Sequence, residues 1–161
     1  MMTIERYLGG RDEEIAALIL GIQNGEAGLD LTVADQPDLT DIVEAYAQGG
    51  FWVALDGDVI VGTIGLLVYG AVGVLKKFFV AARFRGRPGP ATSLFEALLE
   101  RAHSLGLTEI VLDTPRVATR SHGFYARAGF RPVTVEDLPN GYAYPDRDSL
   151  LLKLRLARDD D

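Results

Sequence analysis

The stretch of sequence that decides the fold class, residues 74–92, reads VLKKFFVAARFRGRPGPAT. It predicts a strand over residues 72–82, a loop of arginine, glycine and proline over residues 83–90, and then the start of a helix. A glycine-containing loop that leads into a helix exposes backbone N–H groups at the positive end of the helix dipole, where a phosphate or pyrophosphate binds well. Arg85 and Arg87 bring positive charge to the same place.

Charge is distributed unevenly along the chain. Five of the 16 Lys and Arg residues lie within residues 76–87, where there is no acid, whereas residues 1–58 carry 12 acids and 2 bases. The whole chain has a net charge of −7 and a pI near 4.8, which argues against a general nucleic-acid binder. The basic segment therefore indicates either a site for a compact polyanion or a solvated strand and turn.

Length and composition predict one domain over residues 1–161, because 161 residues with 48% hydrophobic content suit a single globular core. The absence of cysteine excludes thiolate nucleophiles and cysteine-ligated metals. No apolar segment of signal-peptide length precedes Asp12, so we expect a cytoplasmic protein. Residues 59–75 are uncharged, but their four glycines and many β-branched residues favour strands over a membrane helix, and we expect no membrane contact.

The chain begins and ends with alternating elements around a central antiparallel meander. The meander is predicted from strands at residues 51–55, 59–68 and 72–82. Before it we expect a strand at 3–8, a helix from Asp12 to Asn24-Gly25, an irregular link or short strand, and a helix with Asp38 as N-cap that stops at Gly49-Gly50. After it we expect a helix at 91–105, a strand at 108–113, a helix at 119–128, and strands at 130–133 and 149–156.

A second motif lies downstream and reads Phe124-Tyr125-Ala126-Arg127-Ala128-Gly129-Phe130. Together with residues 74–92, it resembles the GNAT acyltransferase superfamily, whose acetyl-CoA motif has an Arg/Gln-x-x-Gly-x-Gly/Ala loop and a later helix ending in Phe/Leu-Tyr-x-x-x-Gly-Phe. The resemblance extends over residues 1–156 and is most specific over residues 74–133. It implies a mixed α/β, α+β-like GNAT fold with a mostly antiparallel twisted sheet of about seven strands and about four flanking helices, in the order β-α-α-β-β-β-α-β-α-β-β.

The loop departs from the family pattern. Arg85 followed by Gly89 and Ala91 fits only if one residue is inserted, because Pro88 and Pro90 stand where the strict spacing asks for glycine and glycine or alanine. The two prolines also remove two amide donors. In addition, Ala118 replaces the asparagine that often lies seven residues before the tyrosine, which predicts the loss of one polar contact to the cofactor.

The resemblance implies acetyl-CoA as co-substrate and no metal. Main-chain groups of Phe79 and Val80 are expected to hold the pantetheine arm in the manner of an added strand. The pyrophosphate is expected at the loop and the start of the next helix. The implied cofactor-binding residues are Phe79, Val80, Arg85, Gly86, Arg87, Gly89, Ala91, Thr92 and Tyr125.

Tyr125 is the candidate catalytic residue. A phenol with a pKa of about 10 is protonated at neutral pH and is suited to protonate the departing CoA thiolate, although a core aromatic is the alternative interpretation. No general base is evident, since residues 72–80 contain no acid and Asp113, Glu136 and Asp137 have no geometric support in the sequence. His122 is better explained as a helix-surface or cofactor-edge residue. His103 is expected to be structural or exposed, and the two histidines predict no metal site.

The resemblance thus predicts an N-acetyltransferase that moves an acetyl group directly from acetyl-CoA to a primary amine. The acidic residues 1–58 and the loop at 134–148 suggest a cationic acceptor such as a polyamine, an amino sugar or a lysine-containing protein. The alternative is a GNAT-fold sensor or interaction module that binds CoA or acyl-CoA without turnover. A homodimer that pairs residues 150–154 across two copies is also expected.

Overall fold

The computed structural model describes residues 2–86, 89–116, 119–142 and 149–156, and within them seven strands form one sheet in the order β1-β2-β3-β4-β5-β7-β6. The strands are β1 (Met2–Arg6), β2 (Gly50–Asp56), β3 (Val59–Tyr69), β4 (Val72–Val80), β5 (Glu109–Pro115), β6 (Arg131–Pro132) and β7 (Ser149–Arg155). Neighbours pair antiparallel except β4 and β5, which are parallel. This arrangement confirms the predicted fold class.

Four α-helices flank the sheet in the described residues: α1 (Asp12–Gly25), α2 (Ile42–Ala45), α3 (Pro90–Ser104) and α4 (Thr119–Ala128). Short 3-10 turns occupy Val33–Asp35, Pro37–Leu39, Ala82–Phe84 and Val135–Asp137. The order of strands and α-helices is the one predicted. The link between α1 and α2 is irregular, so the short strand considered there does not form.

Each face of the sheet has its own hydrophobic core. On one face, Ile15 and Ile19 of α1 and Ile42 of α2 pack with residues such as Phe51 and are fully or almost fully buried. On the other face, Leu94 and Leu98 of α3 pack with Tyr125 and Phe130 among others. The helical spacing of apolar residues in α1 and α3 accounts for this layering, because it gives each helix one apolar side to bury.

The second helix differs from its prediction. It is a single turn at Ile42–Ala45 with Asp41 as N-cap, not a longer helix capped by Asp38. Pro37 begins a separate 3-10 turn, and the Asp38 carboxylate accepts a hydrogen bond from the Tyr46 hydroxyl at 2.6 Å. The carboxylate that was expected to cap a helix is therefore used in a tertiary contact.

Strands β4 and β5 pair over only three residues and then diverge. Their register joins Val72, Gly73 and Val74 to residues 109–111, whereas β4 continues to Val80. Strand β5 stays with β7 along its whole length from Glu109 to Pro115. A gap therefore opens between the carboxyl-terminal ends of β4 and β5. The strand predicted at 72–82 ends at Val80 in the structure, because residues 82–84 form a 3-10 turn.

The final strand has neighbours on both sides. Strand β6 pairs with Lys153 and Leu152 of β7 opposite the β5 side, and the Val133 N–H donates to the Leu151 carbonyl at 2.9 Å. The centre of this edge is thus occupied within the chain. The predicted dimer pairing of residues 150–154 stays a prediction, and it would have to displace β6 or use the rest of the edge.

Candidate active site

A cleft of about 390 Å³ lies where β4 and β5 diverge. Its walls come from residues 75–80 of β4, residues 113–115 of β5, the carboxyl-terminal part of α1, and Ser121 and Tyr125 of α4. The beginning of β4 is closed by pairing to β5, so the cleft is confined to the open half of the strand. Its edge exposes extended backbone that has no partner on β5, which suits an added-strand mode of binding.

A β-bulge in β4 forms one side of the cleft. The register to β3 shifts between Thr63 and Gly65, so that Lys77 and Phe78 together oppose one residue of β3. Lys77 has a φ of 52°, the one positive φ among the described non-glycine residues. The buried Thr63 hydroxyl donates to the Lys77 carbonyl at 2.7 Å and fixes this conformation. A bulge bends and twists a strand, which accounts for the divergence of β4 from β5.

Tyr125 lies in the cleft wall on α4 and is 5% exposed. Its ring contacts Phe78, Phe124 and Phe130, so the side chain is also part of an aromatic cluster. Burial, with a smaller contribution from the charge of Asp113, raises the pKa of the Tyr125 hydroxyl well above its usual value. The phenol is therefore protonated at every physiological pH, as a proton donor requires. Both sequence interpretations of Tyr125, core aromatic and site residue, are compatible with this position.

Phe79 and Val80, the residues expected to contact pantetheine, line the same cleft. Phe79 is half-buried and Val80 is buried. The Val80 carbonyl already accepts a hydrogen bond from Arg85 Nε at 2.9 Å. A carbonyl has two lone pairs, so this contact leaves one acceptor position on Val80 for a ligand.

Residues 83–90, the loop predicted to bind phosphate, are called the phosphate loop below. Among its described residues, Arg85 reaches the cleft wall. Its guanidinium forms a two-point ion pair with the Glu26 carboxylate just beyond α1, in addition to its bond to Val80. The structure therefore places the expected phosphate-binding arginine at the cleft, already paired to an acid. An anionic ligand at this end would compete with Glu26 for Arg85.

The rest of the loop leads into α3 as predicted. Gly89 is extended at the N-cap position and Pro90 is the first helical residue. A Cβ on Gly89 would lie 2.5 Å from the Gly86 carbonyl oxygen, so this position requires glycine. Ala91 is half-buried and Thr92 exposed at the first turn, where their N–H groups have no intrahelical acceptor. Gly86 has a φ of 119° and is exposed. Arg87 and Pro88 lie outside the described residues, as does Ala118.

Two lysines of β4 that line the cleft are paired with acids. Lys76 Nζ lies 4.0 Å from the Asp113 carboxylate, which also accepts a hydrogen bond from the Tyr142 hydroxyl. Lys77 Nζ lies 3.6 Å from the Asp38 carboxylate. Burial lowers the pKa of Lys77 to about 8, and the charge of Lys76 adds to this lowering, while Asp38 and Asp113 oppose it. The basic residues that cluster at positions 76–87 of the sequence therefore lie in two places. Arg85 belongs to the phosphate loop, whereas Lys76 and Lys77 lie on β4 beside Asp113 and Asp38.

The other candidate acids and bases differ in position. Asp113 lines the cleft with 2% of its side chain exposed. Half-buried His122 has its Nε2 3.1 Å from the Pro115 carbonyl oxygen and so is tied to the end of β5. His103 is exposed on α3, and Glu136 and Asp137 are exposed outside the cleft wall. Within the described ranges, no cluster of three or more His, Cys, Asp or Glu side chains is arranged to hold a metal ion.

The pairing of Lys77 with Asp38 was not predicted from the sequence. Alternation along a strand predicts that Lys76 and Lys77 point to opposite faces, and only the bulge brings both to one cleft. Asp38 is predicted from the sequence as a helix N-cap because aspartate is a preferred residue at that position. The available signal was the lysine pair itself, because charged residues in a buried strand need partners.

The family model described as Acetyltransferase (GNAT) family matches residues 13–130. The chain therefore belongs to the GNAT acetyltransferase family. The crystal structure of an acetyltransferase from Streptococcus agalactiae is 38% identical, with a TM-score of 0.91 and coverage of 96% of this chain and 98% of that chain. The motifs and the open cleft thus occur in a chain whose fold and family are established.

More distant proteins are also similar to this chain. Human N-acetyltransferase 8B is 31% identical over 108 residues, which are 62% of this chain and 47% of that protein. The chain spans about half the length of the curated relatives it matches. The PaiA N-acetyltransferase from Thermoplasma acidophilum, crystallised with coenzyme A, is 14% identical with a TM-score of 0.74 over 97% of this chain and 99% of that chain, which shows a common fold. Across the residues that the structure describes, none of the helices combines the length and apolar character needed to cross a membrane.

Proposed function

We propose that this protein is an acetyl-CoA-dependent N-acetyltransferase that acts on a primary amine of a small molecule or a protein. The observation that carries the proposal is the cleft between the diverging ends of β4 and β5, with the protonated phenol of Tyr125 in its wall. Family membership supports acetyl transfer, and the geometry supports a thioester held against the open edge of β4.

In the proposed reaction, the acceptor amine attacks the thioester carbonyl carbon, and the carbonyl oxygen becomes an oxyanion. A backbone N–H near Val80 stabilises that charge. The C–S bond then breaks, and the Tyr125 hydroxyl gives its proton to the departing CoA thiolate. The nitrogen loses a proton to water as the amide forms, and the Tyr125 phenolate takes a proton from water to complete the cycle. The sequence contains no cysteine to hold an acyl intermediate, so transfer is direct from the thioester to the amine.

Acetyl-CoA is proposed to bind along the open half of β4 and to end at the phosphate loop. Main-chain groups of Phe79 and Val80 contact the pantetheine arm. The pyrophosphate is held by Arg85 and Arg87 and by N–H groups of the loop and first turn of α3, at Gly86, Gly89, Ala91 and Thr92. Support comes from the Arg85 guanidinium at the cleft wall and from the unpaired N–H groups of a helix that begins there.

The acceptor is proposed to be cationic in solution. The Asp113 carboxylate lines the cleft and the Asp38 carboxylate pairs with Lys77 of the cleft wall, and these two acids support the proposal. Glu136 and Asp137 are less suitable than predicted, because they are exposed and do not line the cleft. We further propose that residues 1–161 act as one cytoplasmic domain with no membrane or nucleic-acid partner.

The test is a thiol-release assay with acetyl-CoA over a panel of spermidine, glucosamine and a lysine-containing peptide. We expect wild type to turn over at least one amine, and Tyr125→Phe to lower kcat by about 100-fold to 10,000-fold, the usual contribution of a general acid. Tyr7→Phe is the matched control, because Tyr7 is also buried but its hydroxyl bonds to Asp12 outside the cleft.

The possible outcomes separate the proposal from its alternative. Tight acetyl-CoA binding without turnover of any amine would support a CoA-binding sensor or interaction module. Absence of acetyl-CoA binding would contradict both. Turnover with equal kcat in wild type and Tyr125→Phe would support the acetyltransferase activity and contradict a catalytic role of Tyr125.

A further inference from the structure

Lys77 is a buried amine in the cleft to which the proposed reaction assigns no task. Its side chain is 10% exposed, and it lines the same cleft as Tyr125. The bulge that opens the cleft is centred on Lys77, whose positive φ turns its side chain to the cleft instead of the opposite face of the sheet. A left-handed conformation is costly for a residue with a Cβ, so the fold retains this placement at an energetic cost.

The charges around Lys77 come from three directions. Asp38, in the turn before α2, lies 3.6 Å from Nζ and is itself held by the Tyr46 hydroxyl. Lys76 precedes it on the same strand, and Asp113 faces it from β5. Glu26 and Arg85 lie elsewhere in the cleft wall and are paired with each other.

These surroundings leave Lys77 able to lose its proton near neutral pH. Burial and the charge of Lys76 lower its pKa, the two aspartates oppose this, and the net result is a pKa of about 8. The neutral Lys77 amine is therefore more populated at pH 7 than the neutral form of an exposed lysine. An ordinary exposed lysine would be almost entirely protonated at that pH.

We propose that Lys77 is the general base that deprotonates the ammonium group of the acceptor. This role rests on the proposed acetyltransferase function. Neutral Lys77 Nζ takes one proton from the acceptor ammonium, which leaves a neutral amine with a lone pair for attack on the thioester carbonyl. The resulting Lys77 ammonium is held by Asp38 and returns its proton to water after product leaves. No oxidant, reductant or additional reactant is needed.

The other titratable groups are less suited to this task. Asp113 is engaged by Lys76 and by the Tyr142 hydroxyl, and His122 is bound to the Pro115 carbonyl. Tyr125 is held protonated by burial, which suits a proton donor and not a base. Lys77 therefore combines a position in the cleft with a proton affinity near the range that efficient base catalysis needs.

The first test compares Lys77→Arg and Lys77→Met with wild type in kcat measured against pH at saturating acceptor. Arginine retains the positive charge and the ion pair with Asp38 but is not deprotonated in proteins. If Lys77 only positions the acceptor, Lys77→Arg retains kcat and the rise of kcat with pH. If Lys77 is the base, we expect Lys77→Arg to lose about 100-fold in kcat at pH 7 and to lack the rise near pH 8.

The second test shifts the pH at which kcat rises while Lys77 itself is retained. Asp38→Asn removes a charge that raises the pKa of Lys77, so the rise should shift to lower pH. Lys76→Met removes a charge that lowers this pKa, so the rise should shift to higher pH. Opposite shifts in two single variants are not expected from ionisation of the acceptor alone, and they do not depend on the folding of a Lys77 variant.

Three results would overturn the inference. If Lys77→Arg has the kcat of wild type and the same rise of kcat with pH, Lys77 is a positioning cation and not a base. If kcat rises at the same pH in wild type, Asp38→Asn and Lys76→Met, the group whose ionisation controls kcat is not Lys77. Absence of turnover by wild type on every amine of the panel would overturn the acetyltransferase proposal and this inference together, whereas the first two results leave the acetyltransferase intact.

Discussion

The two halves of β4 differ although they belong to one strand. Val72–Val74 is paired on both sides, to β3 and to β5, and Val74 is fully buried. Residues 75–80 retain β3 as a neighbour but leave β5, contain the bulge at Lys77 and line the cleft. The same strand thus supplies core in its first half and a binding edge in its second.

This difference shows how the fold makes a site without breaking the sheet. The unpaired edge would be costly if its polar backbone were buried, but it faces a cleft open to a ligand. The bulge is anchored from β3 by the Thr63 hydroxyl, while β5 is anchored by β7. Separation of β4 from β5 therefore follows from contacts on their outer sides.

The largest effect is expected from a change in the paired half. Ile110 of β5 is fully buried opposite Gly73. Ile110→Ala leaves a cavity and should lower the free energy of unfolding by about 2 to 5 kcal/mol in urea titrations. Val59→Ala is the control, because Val59 is apolar but 54% exposed, and its loss should be within about 0.5 kcal/mol. Equal losses in the two variants would mean that the paired half is not a core element.

The paired half was also the more predictable from sequence. Continuous apolar residues such as Val72, Val74 and Ile110 define buried strands by composition alone. The bulge was not predicted, because it depends on one threonine hydroxyl reaching a carbonyl 14 positions away. No local pattern encodes that contact. The strand was accordingly predicted to run two residues too far, to position 82 instead of Val80.

A medium effect is expected from loosening the bulge. Thr63→Val keeps the shape of the side chain but removes the donor to the Lys77 carbonyl, and it should cost about 1 to 3 kcal/mol of unfolding free energy. Because the bulge positions Lys77 and the open edge, kcat/KM should fall further than the loss of stability alone explains. The measurements are urea unfolding and thiol release on the same preparations.

Ile110→Val is the matched variant for this comparison. It removes one methylene group from the paired half and should cost about 0.5 to 1.5 kcal/mol. If Thr63→Val and Ile110→Val retain equal kcat/KM, the bulge has no role in the site beyond stability. A selective loss of kcat/KM in Thr63→Val would assign the open half to function and the paired half to stability.

The site itself was predictable only where one motif contained the information. Tyr125 was found because the residues around it resemble a family pattern, and Arg85 because a basic loop before a helix favours anions. The contact of Lys77 with Asp38 was not predicted, since the two residues come from separate elements and meet through a bulge and a 3-10 turn. Glu26 was likewise not predicted to contact Arg85, because 59 positions separate them.

The smallest effect is expected where the open half meets the phosphate loop. Arg85 bonds to Val80 and pairs with Glu26, whose side chain is 42% exposed. In Glu26→Gln, the acid no longer competes with phosphates for Arg85, and CoA should bind about twofold to fivefold more tightly, as expected for an exposed ion pair of about 0.5 to 1 kcal/mol. Calorimetric titration with CoA should show this gain at low salt and a smaller gain at high salt.

Glu13→Gln is the control for charge, because it changes the same residue type at the opposite end of α1, outside the cleft wall. An equal gain in both variants would attribute the effect to net charge and not to Arg85. Weaker binding in Glu26→Gln would mean that the ion pair orients Arg85 for the phosphates, and Glu26 would then be a positioning residue. A gain confined to Glu26→Gln would mean that Arg85 is held in an ion pair with Glu26 that the cofactor must displace.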